Sequence, residues 1–118
     1  MADTGLYGPY ALTTEQTNAH VGHGIGAYAL GKLDTTVNTF YVYYVGRSDD
    51  DLNGRLHKWV RHYTHFQYGF LDTVRAAFDK ECRLYHDFGG KNLANKVHPA
   101  RPPSADWPCP VVGCDELN

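Results

Sequence analysis

Apolar positions along the chain follow two different periods. The segments IGAYAL, containing Gly26-Ala27-Tyr28, and YVYYVGRS, containing Tyr44-Val45-Gly46, are short runs rich in aromatic and β-branched residues, the composition of strands. Between them, Asp34-Thr35-Thr36-Val37-Asn38 has turn-forming residues at both ends. A hairpin centred on Thr36 pairs Leu33 with Thr39 and, in the same register, Tyr28 with Tyr44. Cross-strand partners share a face, so two phenols would stand side by side, each near a glycine that lets another group come close. His65 to Leu71 (HFQYGFL) alternates aromatic residues and reads as a third strand, with Gly69 as a candidate bulge.

Elsewhere the spacing is helical. Leu52, Leu56, Trp59, Val60 and Tyr63 form one stripe, and Ser48 is placed to cap a helix opening with Asp49, Asp50 and Asp51. Val74, Ala77, Phe78, Cys82, Tyr85 and Phe88 mark a second helix from Asp72 to Phe88, ended by Gly89-Gly90. Thr14 to His20 reads as a short helix capped by Thr13, and His20 and His23 read as surface histidines. Each of the two longer stripes carries a charge on its apolar edge. Arg55 lies three residues after Leu52 and four before Trp59. Its stem can cover apolar surface while its head reaches water, or the guanidinium can face an anion along the sheet edge. Glu81 lies four residues after Ala77 and four before Tyr85. A carboxylate there needs a partner, either a salt bridge such as one to Arg55 or a metal ion.

Taken together and in order, these residues resemble the GIY-YIG nucleases. GAY at 26–28 stands for the first signature and YVG at 44–46 for the second. Ser48, Leu52 and Arg55 match the serine, leucine and arginine that follow, and the spacing of Ala77 and Glu81 matches the helix carrying the family's metal-binding glutamate. Asn95, in LANKVHPARP, stands where the family often has a late asparagine. The match runs from Ile25 to Arg101. Two positions depart from the pattern: Ala27 replaces the usual isoleucine or valine, and Trp59 stands where a histidine is frequent, leaving His57 or His62 to take a secondary histidine's role.

The resemblance implies metal-dependent hydrolysis of phosphodiester bonds. Glu81 would hold one Mg2+ or Mn2+, for which a hard oxygen ligand is suited. Tyr28 would help deprotonate the attacking water, although an ordinary phenol, with a pKa of about 10, needs a nearby cation to do so. Tyr44 would orient the water or contact the phosphate, and Arg55 would neutralise charge developing on the phosphoryl oxygens. Arg47, His57 and Asn95 are further candidates for substrate contact, Arg47 reading equally well as a solvated surface arginine.

The chain has 118 residues, the size of one domain, and a formal net charge of −2. That charge is unevenly spread. Residues 47–101 hold ten Lys/Arg and seven Asp/Glu, a balance of +3, while the remainder holds one lysine and six acids, a balance of −5. A mildly basic centre between acidic ends suits a small catalytic module with weak nonspecific affinity for nucleic acid. No stretch is apolar and long enough to span a membrane, and no basic region followed by an apolar core marks a secretory signal, so a cytoplasmic setting is expected. A toxin domain delivered by a neighbouring module is the alternative setting. Near the C-terminus, His98-Pro99-Ala100-Arg101-Pro102-Pro103 should run extended. Cys109 and Cys114, with four residues between them, look like half of a structural Zn2+ site, but no second cysteine pair completes it. Thiols in a tail packed on the domain through Trp107 are the plainer reading.

These observations predict an α+β fold, a small three-stranded antiparallel sheet flanked by helices. Residues 1–24 form an N-terminal extension, 25–101 the nuclease-like domain and 102–118 a C-terminal tail packed on it. The function expected is an endonuclease acting on nucleic acid, DNA above RNA, with a targeting domain or an immunity protein supplied by another chain. The alternative is a catalytically inactive nucleic-acid-binding or protein-interaction module of the same fold. The sharpest structural test is convergence: Tyr28, Tyr44, Arg55 and Glu81 should meet at one cleft, and a fold with Tyr28 and Glu81 far apart would overturn the resemblance.

Overall fold

Strand β2 (Gly26–Asp34) has six consecutive buried residues, Gly26 to Gly31, so both of its faces are covered. In the computed structural model, which describes residues 3–95 and 97–114, it lies between β3 (Thr39–Ser48) and β4 (His65–Phe70). Tyr28 and Leu30 point to one layer and pack with Leu52, Leu56 and Phe66. Ala27 and Ala29 point the other way, and with Val45 they form a flat apolar surface against Leu84 and Tyr85. Small residues on that face let a helix lie close to the sheet.

The sheet has four antiparallel strands in the order β1-β4-β2-β3, one more than expected. The additional strand is β1 (Tyr7–Ala11), which pairs Tyr7 with Tyr68 and Ala11 with His65. Its pairing is broken by an irregularity between Tyr7 and Tyr10, and Pro9 removes one donor. A short, bulged, proline-containing strand is tolerated only at an edge and gives no alternating pattern to read. The stretch ahead of Gly24 thus contributes a strand to the sheet, and Leu12 and Val21 join the core.

The hairpin register differs from expectation in an instructive way. Asp34 opposes Thr39 and Leu33 opposes Phe40, because the turn at Thr35 to Asn38 takes four residues, with Asp34 accepting from the Thr36 N–H at 2.9 Å and Asn38 at φ 50°. Continued unbroken, that register would set Tyr28 and Tyr44 on opposite faces, since a shift of one residue exchanges faces. A bulge between Leu30 and Gly31 adds one more residue. Leu30 then opposes Tyr44, Tyr28 opposes Gly46, and the two tyrosines return to a common face. Gly31 is required at the bulge, because a Cβ there would overlap the Tyr41 carbonyl oxygen.

Helix α1 (Thr14–His20) is capped by Thr13, whose Oγ1 accepts from the Gln16 N–H, as the sequence indicates. Helix α2 (Leu52–His57) is shorter than the apolar stripe suggests. Its cap is Asp51, accepting from the Gly54 N–H at 3.0 Å, while Ser48 accepts from the Asp51 N–H at 2.9 Å and shapes the turn before it. Beyond the helix, Arg61 adopts φ 79°, and Trp59, Val60 and Tyr63 pack on the core from turns. Helix α3 (Val74–Asp87) begins at Thr73, which accepts from the Ala76 N–H, and closes at Phe88 before Gly89 at φ 127°.

Helices α1 and α2 therefore cover one face and α3 the other. Gly69 marks no bulge: β4 pairs with β2 without a break, and the space beside Gly69 is taken by Leu6, 3.0 Å from where a Cβ would stand. Residues 98–114 form neither helix nor strand and lie against the outer side of α3, with Trp107 beside Phe78 and Cys109 beside Cys82. Lys96 and residues 115–118, the end of the expected tail, lie outside the described residues. No helix among the described residues is long and apolar enough to cross a membrane. Gly31→Ala is expected to cost about 1–3 kcal/mol, because backbone must move to admit the methyl group. Thermal denaturation reads this, and an unchanged melting temperature would show that the bulge does not depend on glycine.

Candidate active site

β3 is an edge strand, and at its C-terminal end side chains from both sheet faces reach the same open side. A cleft of about 510 Å³ there is lined by Tyr28, Tyr44, Gly46, Arg47, Asp49, Asp50, Arg55, Glu81 and Ala100. The four residues expected to converge are all on its wall. Gly46 is what allows this. It faces Tyr28 across the ladder, and a Cβ would come within 2.5 Å of both the ring Cζ and the hydroxyl oxygen. The glycine of the YVG tripeptide thus makes room for the tyrosine of GAY.

Tyr28 is only 1% exposed. Its oxygen accepts a hydrogen bond from the indole N–H of Trp59 at 3.0 Å, and its ring lies 6.5 Å from that of Tyr44. Tyr44 in turn rests on Trp59, with ring centroids 4.5 Å apart. Trp59 is therefore the residue that holds the phenol in place. Indole can only donate, so the Tyr28 O–H remains available to donate in turn. Burial pushes the Tyr28 phenol well above its ordinary range, with the neighbouring Tyr44 adding to the effect and Trp59 and Arg55 opposing it. Burial and the charge of Glu81 likewise raise Tyr44. These surroundings favour hydrogen-bond donation by both phenols over the proton abstraction expected of Tyr28.

The two arginines are in opposite situations. Arg47 is not a solvated surface residue: its side chain is 11% exposed, donates to Glu81 Oε1 at 2.7 Å and to Asp49 Oδ1 at 2.8 Å, and stacks over Phe78 at 5.4 Å. The partner of Glu81 is thus Arg47 rather than Arg55. Arg47 points to the α3 face, where Glu81 lies, and Arg55 rises from α2 on the other. Arg55 is exposed, and no ion pair holds it among the described residues. Burial raises the Glu81 carboxyl to about 7, with the Arg47 guanidinium working against the shift and Asp49 with it.

The remaining candidates lie elsewhere. His57 meets Asn18 at 3.0 Å on the α1 side, and neither it nor exposed His62 lines the cleft. Asn95 is committed to the backbone of β3, its Oδ1 accepting from the Val45 N–H at 2.9 Å and its Nδ2 donating to the Val45 carbonyl at 2.7 Å. His20 stacks on Tyr10 and His23 meets Asp51, both on the surface. Asp49 and Asp50, read from sequence as helix-opening acids, are cleft residues. Their signal was present in the sequence, but the later start of α2 leaves them in the turn that borders the cleft. Outside the cleft, Cys109 and Cys114 gain the companions that sequence spacing did not reveal, His86 and His98.

Comparison with protein-family models, with curated proteins and with solved structures found no match.

Two outcomes follow from this geometry. Gly46→Ala should lower stability by about 1–3 kcal/mol and weaken the Tyr28–Trp59 bond, seen as a lower melting temperature with altered tryptophan fluorescence. Glu81 carries a pH signature. Its folded pKa of about 7 exceeds the ordinary 4.5, so its proton stabilises the fold fully below pH 4.5 and that contribution is lost as pH rises through 7. The melting temperature of the wild type should therefore fall across this window relative to Glu81→Gln. Parallel profiles would show that Arg47 keeps Glu81 ionised throughout.

Proposed function

We propose that this chain is a divalent-metal-dependent endonuclease of the GIY-YIG type, hydrolysing phosphodiester bonds in nucleic acid, with DNA as the expected substrate. The observation that carries this reading is the presence of Tyr28, Tyr44, Arg55 and Glu81 on the wall of one open cleft. The ordered signatures that resemble the family agree with it.

The donor set suits the ion. Glu81, Asp49 and Asp50 supply hard carboxylate oxygens to the cleft, the ligands that Mg2+ or Mn2+ takes. When bound, such an ion supplies positive charge for the leaving oxygen. The protein's own groups account for the rest of the reaction. Arg55, exposed and in no ion pair among the described residues, is available to bind a phosphate and to neutralise charge as the transition state forms. The Tyr28 O–H, held by Trp59, and the partly exposed Tyr44 orient the attacking water and the scissile phosphate as donors. Arg47 fixes the Glu81 carboxyl in the cleft wall. Choice of target would come from a domain in another chain, and an immunity protein is the partner if the domain acts as a toxin.

A second reading has one observation in its favour. The 2.7 Å contact between Arg47 and Glu81 is what a purely structural ion pair would show, leaving an inactive module that binds nucleic acid or protein. Cleavage of plasmid DNA in a titration with Mg2+ separates the two readings. Cleavage that appears with the ion and disappears with chelator is expected, and its absence in Mg2+ and Mn2+ on both DNA and RNA would overturn the nuclease assignment. Glu81→Gln, which keeps a hydrogen-bond acceptor for Arg47, should abolish cleavage with little loss of stability.

Arg55→Ala should lower turnover by about a hundredfold or more, and Arg55→Lys should restore little, because a point charge lacks the planar fork. Tyr28→Phe should retain substrate binding and lose most of the turnover. Normal turnover in Tyr28→Phe would assign that tyrosine to packing alone. Steady-state and single-turnover cleavage assays with matched melting curves check all three.

A further inference from the structure

A second group of titratable side chains lies on the outer side of α3, apart from the cleft. His86 comes from the last turn of the helix, and His98, Cys109 and Cys114 come from the irregular tail. Each offers one ligand atom, and these four atoms all lie within 4.8 Å of one another. We propose that His86, His98, Cys109 and Cys114 form a structural zinc site that fastens the C-terminal tail to α3. The inference does not rest on the nuclease reading.

The distances fit one shared ion. Zinc binds imidazole nitrogen at about 2.0–2.1 Å and thiolate sulfur at about 2.3 Å in a tetrahedron. That geometry places two nitrogen ligands about 3.3 Å apart and a nitrogen and a sulfur about 3.5 Å apart. His86 Nε2 and His98 Nε2 are 3.3 Å apart, and Cys114 Sγ is 3.4 Å from His98 Nε2. Two sulfurs and two imidazole nitrogens are also the donor set that selects zinc over magnesium or calcium.

The surroundings agree with the ligand roles. His98 Nδ1 lies 3.0 Å from the Pro99 carbonyl, a contact only an N–H can make, which leaves the lone pair on Nε2 facing the cluster. Cys82, buried on α3, is hydrogen-bonded to Cys109 and can donate its S–H to that sulfur. Residues 98–114 contain no helix or strand, so little backbone pairing holds them. Ring contacts tie the segment to α3: Trp107 on Phe78 at 6.1 Å, Arg75 over Trp107 at 5.6 Å, and His98 against Tyr85 at 5.4 Å and His86 at 5.3 Å. A metal joining three points of such a segment to a helix supplies order that its own contacts do not. The consequence reaches the cleft, because Ala100, two residues beyond His98, forms part of its wall.

The test uses the full chain purified in reductant with zinc present. Metal analysis and native mass spectrometry should find zinc equimolar with protein, retained in Glu81→Gln and lost in Cys114→Ser and His98→Ala. Removing it with a strong chelator should lower the melting temperature by about 5 °C or more, and returning zinc should restore it. Should the ligand variants fail to fold, cobalt loaded into the wild type decides the matter: intense tetrahedral d–d bands with thiolate charge transfer are expected. Only trace zinc under these conditions, a pale cobalt spectrum without thiolate bands, or a mass showing a disulfide between Cys109 and Cys114 in place of metal would each overturn the proposal.

Discussion

Strand β2 is buried on both faces, so its two sets of side chains must match two different helical layers, and that requirement places the other elements. The large set, Tyr28 and Leu30, needs depth, which α1 and α2 provide with Leu52 and Leu56. The small set, Ala27 and Ala29, needs a close partner, which α3 provides with Leu84 and Tyr85. Because the strand is central, any error in its pairing would move residues between layers. The bulge opposite Gly31 is therefore as important to the cleft as any residue lining it. It corrects the phase set by the turn and returns Tyr44 to the side of Tyr28.

Electrostatically, the cleft divides its cations by burial. Arg47 is held between Glu81 and Asp49 and against the ring of Phe78. Its charge is already balanced, and moving it would expose a desolvated carboxyl. Arg55 stands in water on the far side with no such constraint. A phosphate entering the cleft would meet one positive charge ready to pair and one that is spoken for. The acidic residues have the complementary arrangement. Glu81 is deep, its carboxyl pushed up by burial, while Asp49 and Asp50 are exposed at the mouth.

Much of this was legible in the chain, and the misses have physical causes. Three strands, three helices and the cap Thr13 follow from local pattern, because period and capping chemistry act over a few residues. Tyr28, Tyr44, Arg55 and Glu81 could be singled out because two are charges on apolar stripes and two are phenols beside glycines. What local pattern could not supply was pairing across distance. Arg47 and its partner Glu81 are 34 residues apart and meet only once α3 has packed on that face of the sheet. β1 was hidden by Pro9 and by its irregular register. α2 ends at His57, and beyond it Arg61 takes a left-handed backbone, which an arginine does not signal. His86 and His98 are ordinary histidines in sequence and meet Cys109 and Cys114 only once the tail has folded back over α3.

Asn95 illustrates how a residue can matter without touching the cleft. β3 is ten residues long and lies at an edge, the kind of surface on which another extended chain can add itself. The Asn95 amide takes both outward groups of Val45, and the Ala94 N–H takes the Tyr43 carbonyl at 2.7 Å. Two residues after α3 thus imitate a fifth strand over the middle of that edge. Copies of this protein meeting at high concentration find those hydrogen-bonding positions filled, so the same short segment that borders the cleft also guards against ladder growth into fibres.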